Sequence, residues 1–156
     1  MTGGDLQRLP DLQRHPDLQR LPDLKRLSEI VAPDANVSGR VVVLDCAALL
    51  PFDVKRVYWI HGMRQGEQRG GHAHRTLTQA VVAVAGRISF ELDDGYTRTT
   101  HLLERPNDYL IVPPSHWRDF TALEPGSTLL VLASAPYEEA DYIRDYSDFL
   151  NYRSRG

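Results

Sequence analysis

Two histidines set two residues apart, His72 and His74, are the side chains in this sequence best suited to proton chemistry. On a strand that spacing puts both rings on one face, and imidazole is the group that gives and takes protons near neutral pH. Arg69-Gly70-Gly71 comes just before them, placing a cation beside two residues that let the backbone bend sharply. Gln79 and the apolar run from Ala80 to Ala85 follow, the pattern of a strand covered on both faces, closed by Gly86. An isolated histidine is more often a satisfied core or surface residue. A same-face pair flanked by Arg, Gly-Gly and a buried strand is a candidate site.

The elements that must position this pair read as short strands. Residues 41–44, V-V-V-L, are apolar and mostly β-branched, and Leu50-Pro51-Phe52-Asp53 breaks the chain after them. Residues 55–60 follow, with Arg56, Tyr58 and Ile60 alternating onto one face and Lys55, Val57 and Trp59 onto the other. His61 then falls past the strand end, in a loop. Residues 87–92 and 97–103 flank Asp93-Asp94-Gly95, a strong hairpin signal. Residues 109–112, 118–121 and 127–133 supply three more strands between Pro- or Gly-containing turns. Many short strands with regular turn signals predict a sandwich or small barrel. Residues 28–35 read as a connection, and the ending becomes compatible with helix after about Asp141.

A chain of 156 residues is one domain with room for a real core. The formal charge of −3 argues against nucleic acid or an anionic membrane as partner. The single cysteine, Cys46, excludes an internal disulfide and suits a reducing compartment. With no signal-type apolar segment and no apolar run approaching about 18 residues, the expected location is cytoplasmic. Residues 5–27 repeat a hexad, D-L-Q-R-L-P, with Pro10, Pro16 and Pro22 in register. Six matches no helical period, and each proline disfavours helix before it. The expected organisation is a disordered or irregular tail over 1–27 and a folded domain over 28–156, with the tail dispensable for activity.

Gly66, five residues, H-x-H, four residues, Gln79, six residues and Gly86 together resemble the first cupin motif. Pro113-Pro114-Ser115-His116-Trp117-Arg118 resembles the second. The resemblance implies an all-β cupin, a jelly-roll β-barrel whose mouth holds a metal or a substrate. Metal-binding cupins usually carry Glu at the position of Gln79 and a third His at that of Arg118. A guanidinium stays protonated and cannot ligate a cation, and two histidines are too few for a tight divalent site. No cofactor or metal is therefore expected, and the histidines are free for acid–base work. An alternative recruits His116 as a third ligand, giving a metal-dependent oxygenase or isomerase. A non-catalytic nucleotide-sugar binder is a further alternative.

Five stretches in order narrow the resemblance: P-F-D-V-K-R-V-Y (51–58), R-G-G-H-A-H (69–74), L-D-D-G (92–95), V-P-P-S-H-W-R (112–118) and L-A-S-A-P-Y-E-E-A-D-Y-I-R-D-Y (132–146). They look like the nucleotide-sugar 3,4-ketoisomerases, the WxcM-like cupins of deoxysugar biosynthesis. That family moves the carbonyl of a dTDP-linked 4-keto-6-deoxyhexose from C4 to C3. It implies a homodimer with an exchanged N-terminal strand and no metal requirement. By this resemblance His72 is the base, His74 a relay or orienting partner, and Tyr58 a proton donor to the enediolate. Arg69 and Arg118 would stabilise the oxyanion. Arg56, Arg144 and Tyr146 are the candidates for the nucleotide, Trp117 for the sugar, and Gln79 for the pocket. Ser38 stands where relatives often carry a large side chain reaching the sugar, and relatives have either His or Arg at Arg118. The gluco or galacto configuration of the product stays open on these residues.

Overall fold

Gln79–Ala85 forms a strand whose first five residues are buried, and the rest of the fold is arranged on its two faces. In the computed structural model of the protein, residues 22–31, 36 and 38–155 are described. Among these residues twelve strands form three antiparallel sheets. The first sheet runs β1 (Leu24–Arg26), β9 (Asp108–Val112), β6 (Gln79–Ala85), β11 (Ser127–Ala133), β4 (Arg56–Met63). The second runs β12 (Tyr142–Ile143), β5 (Gln68–His74), β10 (Trp117–Ala122), β7 (Ile88–Asp93), β8 (Arg98–Leu103). β2 (Glu29–Val31) and β3 (Arg40–Val42) make a separate two-stranded ladder.

The two large sheets enclose the main core. Val81, Leu110, Leu129 and Val131 of the first sheet belong to one cluster with Ile88, Phe90, Leu92 and Phe120 of the second. The Phe90 and Phe120 rings stack with centroids 5.6 Å apart. Ala80 and Val82 alternate with Val81 and so face the other way. There they are covered by Leu27, Leu50, Tyr109 and Leu132, with Val42, Leu44 and Phe52 packed around them. Double coverage explains why β6 is continuously apolar rather than alternating. The all-β cupin architecture expected from the sequence is the one observed. On β4, Tyr58 and Ile60 pack toward the core while Val57 and Trp59 are exposed, as the alternation predicts.

Several boundaries differ from expectation. β4 continues through His61 to Met63, because β11 shifts register between Ser127 and Leu129 and still pairs Ser127 with Met63. Residues 29–31, read as a connection, pair with residues 40–42. The chain after Pro136 first makes a 3-10 turn over Glu139–Asp141 and then β12. Only afterwards does a helix begin, labelled α2 (Tyr146–Ser154) to follow α1 (Cys46–Leu49). Asp145 caps α2 by accepting from the Asp148 N–H at 3.0 Å.

The domain boundary expected after residue 27 lies inside the fold. Leu24, Lys25 and Arg26 pair with Leu110, Tyr109 and Asp108, and Arg26 Nε lies 2.9 Å from Asp108 Oδ1. The Leu27 N–H donates to the Asn107 carbonyl at 2.7 Å, and the residue is 5% exposed. The reason is in the last hexad: D-L-K-R-L is followed by Ser28, where the earlier units end in proline. Without that proline the chain runs on extended with its amide donors intact. The expectation for residues 1–21 lies outside the described residues. Leu27→Ala should cost about 2–4 kcal/mol of unfolding free energy in denaturant titration. A loss under about 0.5 kcal/mol would show that this segment does not cover β6.

Candidate active site

The histidine strand is shaped by its approach to β10. Arg118 pairs with His72, and the register then shifts before Asp119 pairs with Gly70. Gly70 has φ +106°, and a Cβ there would lie 2.5 Å from the Arg118 carbonyl oxygen. Only glycine permits that contact. The Gly71 N–H donates to Asp119 Oδ1 at 2.8 Å, fixing the bend. On the other edge of β5, Tyr142 pairs with His74 and Ile143 with Ala73. The result is a cavity of about 530 Å³ between the sheets. His72, Tyr58, Gln79 and Arg118 line it together with Arg56, Arg69 and Arg144.

His72 is held as a neutral base. Its Nδ1 lies 3.2 Å from the Gly70 carbonyl oxygen, which can only accept, so Nδ1 carries the hydrogen and Nε2 the lone pair. Burial is the main cause lowering its pKa to about 4, and the Arg118 charge adds to it. His74 is fully buried, with Nδ1 3.0 Å from Asp141 Oδ2 and its ring centroid 5.0 Å from that of His72. Burial, with the charge of Arg118 behind it, keeps His74 neutral as well. For Asp141, burial would raise the pKa, but hydrogen bonds from Thr76 hold it below the ordinary value.

Arg118 is 2% exposed, and among the described residues no carboxylate lies within ion-pair distance of it. Burial lowers its pKa to about 10, which still leaves a cation at neutral pH. Its Nη2 donates to the His116 carbonyl at 3.0 Å, and its Nη1 donates to Gln79 Oε1. A guanidinium only donates, so the Gln79 oxygen must face it and the amide nitrogen must face away. That nitrogen donates to Tyr58 Oη at 2.9 Å. With its oxygen engaged as an acceptor, the Tyr58 hydroxyl keeps its own hydrogen for the cavity. Burial raises the Tyr58 pKa, so the phenol stays protonated.

The other cations surround the opening. Arg56 lies over the Tyr58 ring at 5.2 Å and the Tyr137 ring at 5.7 Å. Arg144 lies over the Tyr142 ring at 4.2 Å and forms a fork with Glu139 at 2.7 and 2.9 Å. Arg69 pairs with Glu67 at 2.9 Å.

Four of the sequence candidates stand elsewhere, and His74 lies behind the cavity wall rather than in it. Trp117 is a strand neighbour of Arg118 and therefore points to the opposite face. There it packs edge-on to Tyr146 at 5.2 Å and against Phe149 at 5.7 Å. The Tyr146 hydroxyl donates to Asp93 Oδ2 at 2.7 Å. Both residues tie α2 to the second sheet, away from the cavity. Ser38 is exposed, ahead of β3, and is not part of the cavity wall. The His116 proposed as an extra metal ligand precedes β10, with Nδ1 donating to the Pro114 carbonyl at 2.8 Å. Among the described residues no three His, Cys, Asp or Glu side chains gather as a ligand set. Asp141, Tyr142 and Tyr137 were not singled out from the sequence. Their signal lay in the 132–146 stretch, where three tyrosines alternate with acids and only the fold says which turn inward.

Comparison with known proteins agrees with this geometry. The family model described as FdtA, WxcM-like, C-terminal, matches residues 21–154. The chain belongs to this family. It is 37% identical over 114 residues to the TDP-4-oxo-6-deoxy-alpha-D-glucose-3,4-oxoisomerase of Aneurinibacillus thermoaerophilus, covering 73% of this chain and 82% of that protein. Its fold matches a 3,4-ketoisomerase from Helicobacter canadensis with a TM-score of 0.78 and 32% identity, over 85% of this chain and 97% of the other. A sugar 3,4-ketoisomerase from Thermoanaerobacterium thermosaccharolyticum, solved in complex with TDP, matches with a TM-score of 0.78 and 30% identity, over 86% and 95%.

The protonation state of His72 is directly measurable. An NMR titration of its ring should give a midpoint near 4, with the imidazole neutral from about pH 5 upward. A midpoint at or above the ordinary 6.5 would show that the ring is not held out of water beside the guanidinium.

Proposed function

We propose that this protein is a dTDP-4-keto-6-deoxyglucose 3,4-ketoisomerase that needs no metal or cofactor. The observation that carries the proposal is a neutral imidazole base and a protonated phenol sharing one cavity with a buried, unpaired guanidinium. Moving a ketone to the neighbouring carbon requires those three functions. A base removes the proton from C3, and the C–H electron pair becomes the C3=C4 bond of an enediolate. The C4 oxygen gains negative charge and then a proton. The C3 hydroxyl next loses its proton to become the new carbonyl, and C4 receives one. Protons and electrons balance without an external oxidant.

In this chain the Nε2 lone pair of His72 is the base, since Nδ1 is committed to the Gly70 carbonyl. Arg118 supplies fixed positive charge for the oxyanion, which costs no reorganisation during the reaction. The hydrogen of Tyr58 can meet the developing oxygen, because Gln79 donates to the hydroxyl and does not take its hydrogen. Arg56, Arg69 and Arg144 line the same cavity and suit the diphosphate, which guanidinium forks bind well. Names of relatives support this assignment, being oxoisomerases and ketoisomerases of TDP-linked sugars.

The expected assembly is a homodimer with an exchanged N-terminal strand. In its support, among the described residues β4 ends the first sheet with no strand on its outer edge, and Val57 and Trp59 on it are 49% and 61% exposed. A cytoplasmic location fits the lone cysteine, and among the described residues no helix is long and apolar enough to cross a membrane.

Purified protein should convert dTDP-4-keto-6-deoxyglucose to a 3-keto sugar, read by NMR or trapped with a 3-aminotransferase. It should also exchange the C3 hydrogen with solvent. His72→Asn should lower both rates at least about 100-fold while still binding dTDP. Full activity in that variant would remove His72 from the mechanism, and dependence of the wild type on added metal would favour a metal-dependent cupin.

A further inference from the structure

One partly buried carboxylate next to the site has no part in the chemistry above. Asp141 comes from the 3-10 turn over Glu139–Asp141, and the residues just after it pair with β5 opposite His74. Its Oδ2 faces His74 Nδ1 at 3.0 Å and the Leu77 N–H at 3.3 Å. Its Oδ1 accepts from the Thr76 N–H and the Thr76 hydroxyl, both at 2.8 Å. Three donors from the turn after β5 therefore fix the carboxylate before the histidine is considered. An ionised carboxylate only accepts, so His74 Nδ1 must carry the hydrogen. Its Nε2 is then a bare lone pair, and that nitrogen is buried with no hydrogen-bond partner.

A buried acceptor without a partner costs free energy that folding alone does not recover. Here it stands in a ring whose centroid is 5.0 Å from that of His72 and 4.2 Å from that of Tyr142. We propose that Asp141 is a positioning residue for the isomerisation, holding His74 in the Nδ1–H form so that its Nε2 can accept a proton beside His72. This proposal rests on the ketoisomerase reading for its kinetic consequence, though not for the tautomer itself. The Asp141 carboxylate faces the Nδ1–H of His74 and stabilises the imidazolium that forms when Nε2 is protonated. In the resting enzyme His74 therefore accepts a proton and does not supply one. The hydrogen delivered to the substrate oxygen must come from Tyr58 or from protonated His72.

Asp141→Asn separates this from a purely structural role. Asparagine keeps the size and one oxygen for Thr76, but turns an N–H toward His74 Nδ1. That forces the ring hydrogen onto Nε2, where the lone pair stood. The expected result is a fall in kcat of at least about 30-fold with KM for the nucleotide sugar changed less than about 3-fold. The 15N shifts of His74 should report Nδ1–H in the wild type and Nε2–H in the variant. Asp141→Glu, which keeps the charge, should recover part of kcat. Wild-type kcat in Asp141→Asn would overturn the proposal, and so would 15N shifts placing the His74 hydrogen on Nε2 in the wild type. The wild-type NMR measurement needs no variant, so it decides even where Asp141→Asn folds poorly. A wild type that holds the Nδ1–H form yet does not isomerise the sugar would count against the ketoisomerase reading instead.

Discussion

A guanidinium buried without a carboxylate is the constraint on which the site depends. Taking a charge out of water costs several kcal/mol unless something compensates it. For Arg118 the compensation is two backbone carbonyls and the Gln79 amide oxygen, none of them charged. A carboxylate at position 79 would neutralise the cation and leave nothing for an oxyanion to meet. The amide instead transmits the orientation of Arg118 to Tyr58 and leaves the charge available. The same charge reinforces burial in keeping both histidines neutral. One side chain thus helps keep the base neutral, aims the acid and waits for the anion.

The acidic residues are placed outside this arrangement. Glu67 and Glu139 pair with Arg69 and Arg144 at the exposed rim. Ion pairs open to water are worth little, so on the proposed reading a diphosphate can replace either carboxylate at small cost. Nearer the histidines stand Asp119, which holds the Gly71 N–H, and Asp141, whose carboxylate oxygens are taken up by His74, Thr76 and Leu77. The site therefore holds net positive charge where an enediolate would form and exchangeable pairs where a nucleotide would enter.

Much of this was legible from residue types and spacing. Alternation gave the inward set Arg56, Tyr58 and Ile60, and the continuous run after Gln79 announced a strand covered on both sides. The H-x-H spacing placed both rings on one face. Alternation applied to Trp117 and Arg118 would also have separated them, since neighbours on a strand cannot share a face. The hexads misled because their prolines argued against structure in the whole stretch, whereas the last unit lacks its closing proline and pairs with β9. Asp141 and Tyr142 were hidden for a different reason. They come from a short turn and a two-residue strand, which carry no periodicity, and reach His74 across 67 residues of sequence. A contact of that kind is set by the tertiary fold alone.

The most direct test of the central claim is the isomerisation rate of Arg118→Met at saturating dTDP-4-keto-6-deoxyglucose. Removing the charge makes His72 a stronger base, so a mechanism limited only by basicity would hold its rate or gain. The account predicts the opposite, a loss of at least about 100-fold with the fold intact, because the oxyanion has lost its preorganised partner. A folded Arg118→Met enzyme turning over at the wild-type rate would contradict it.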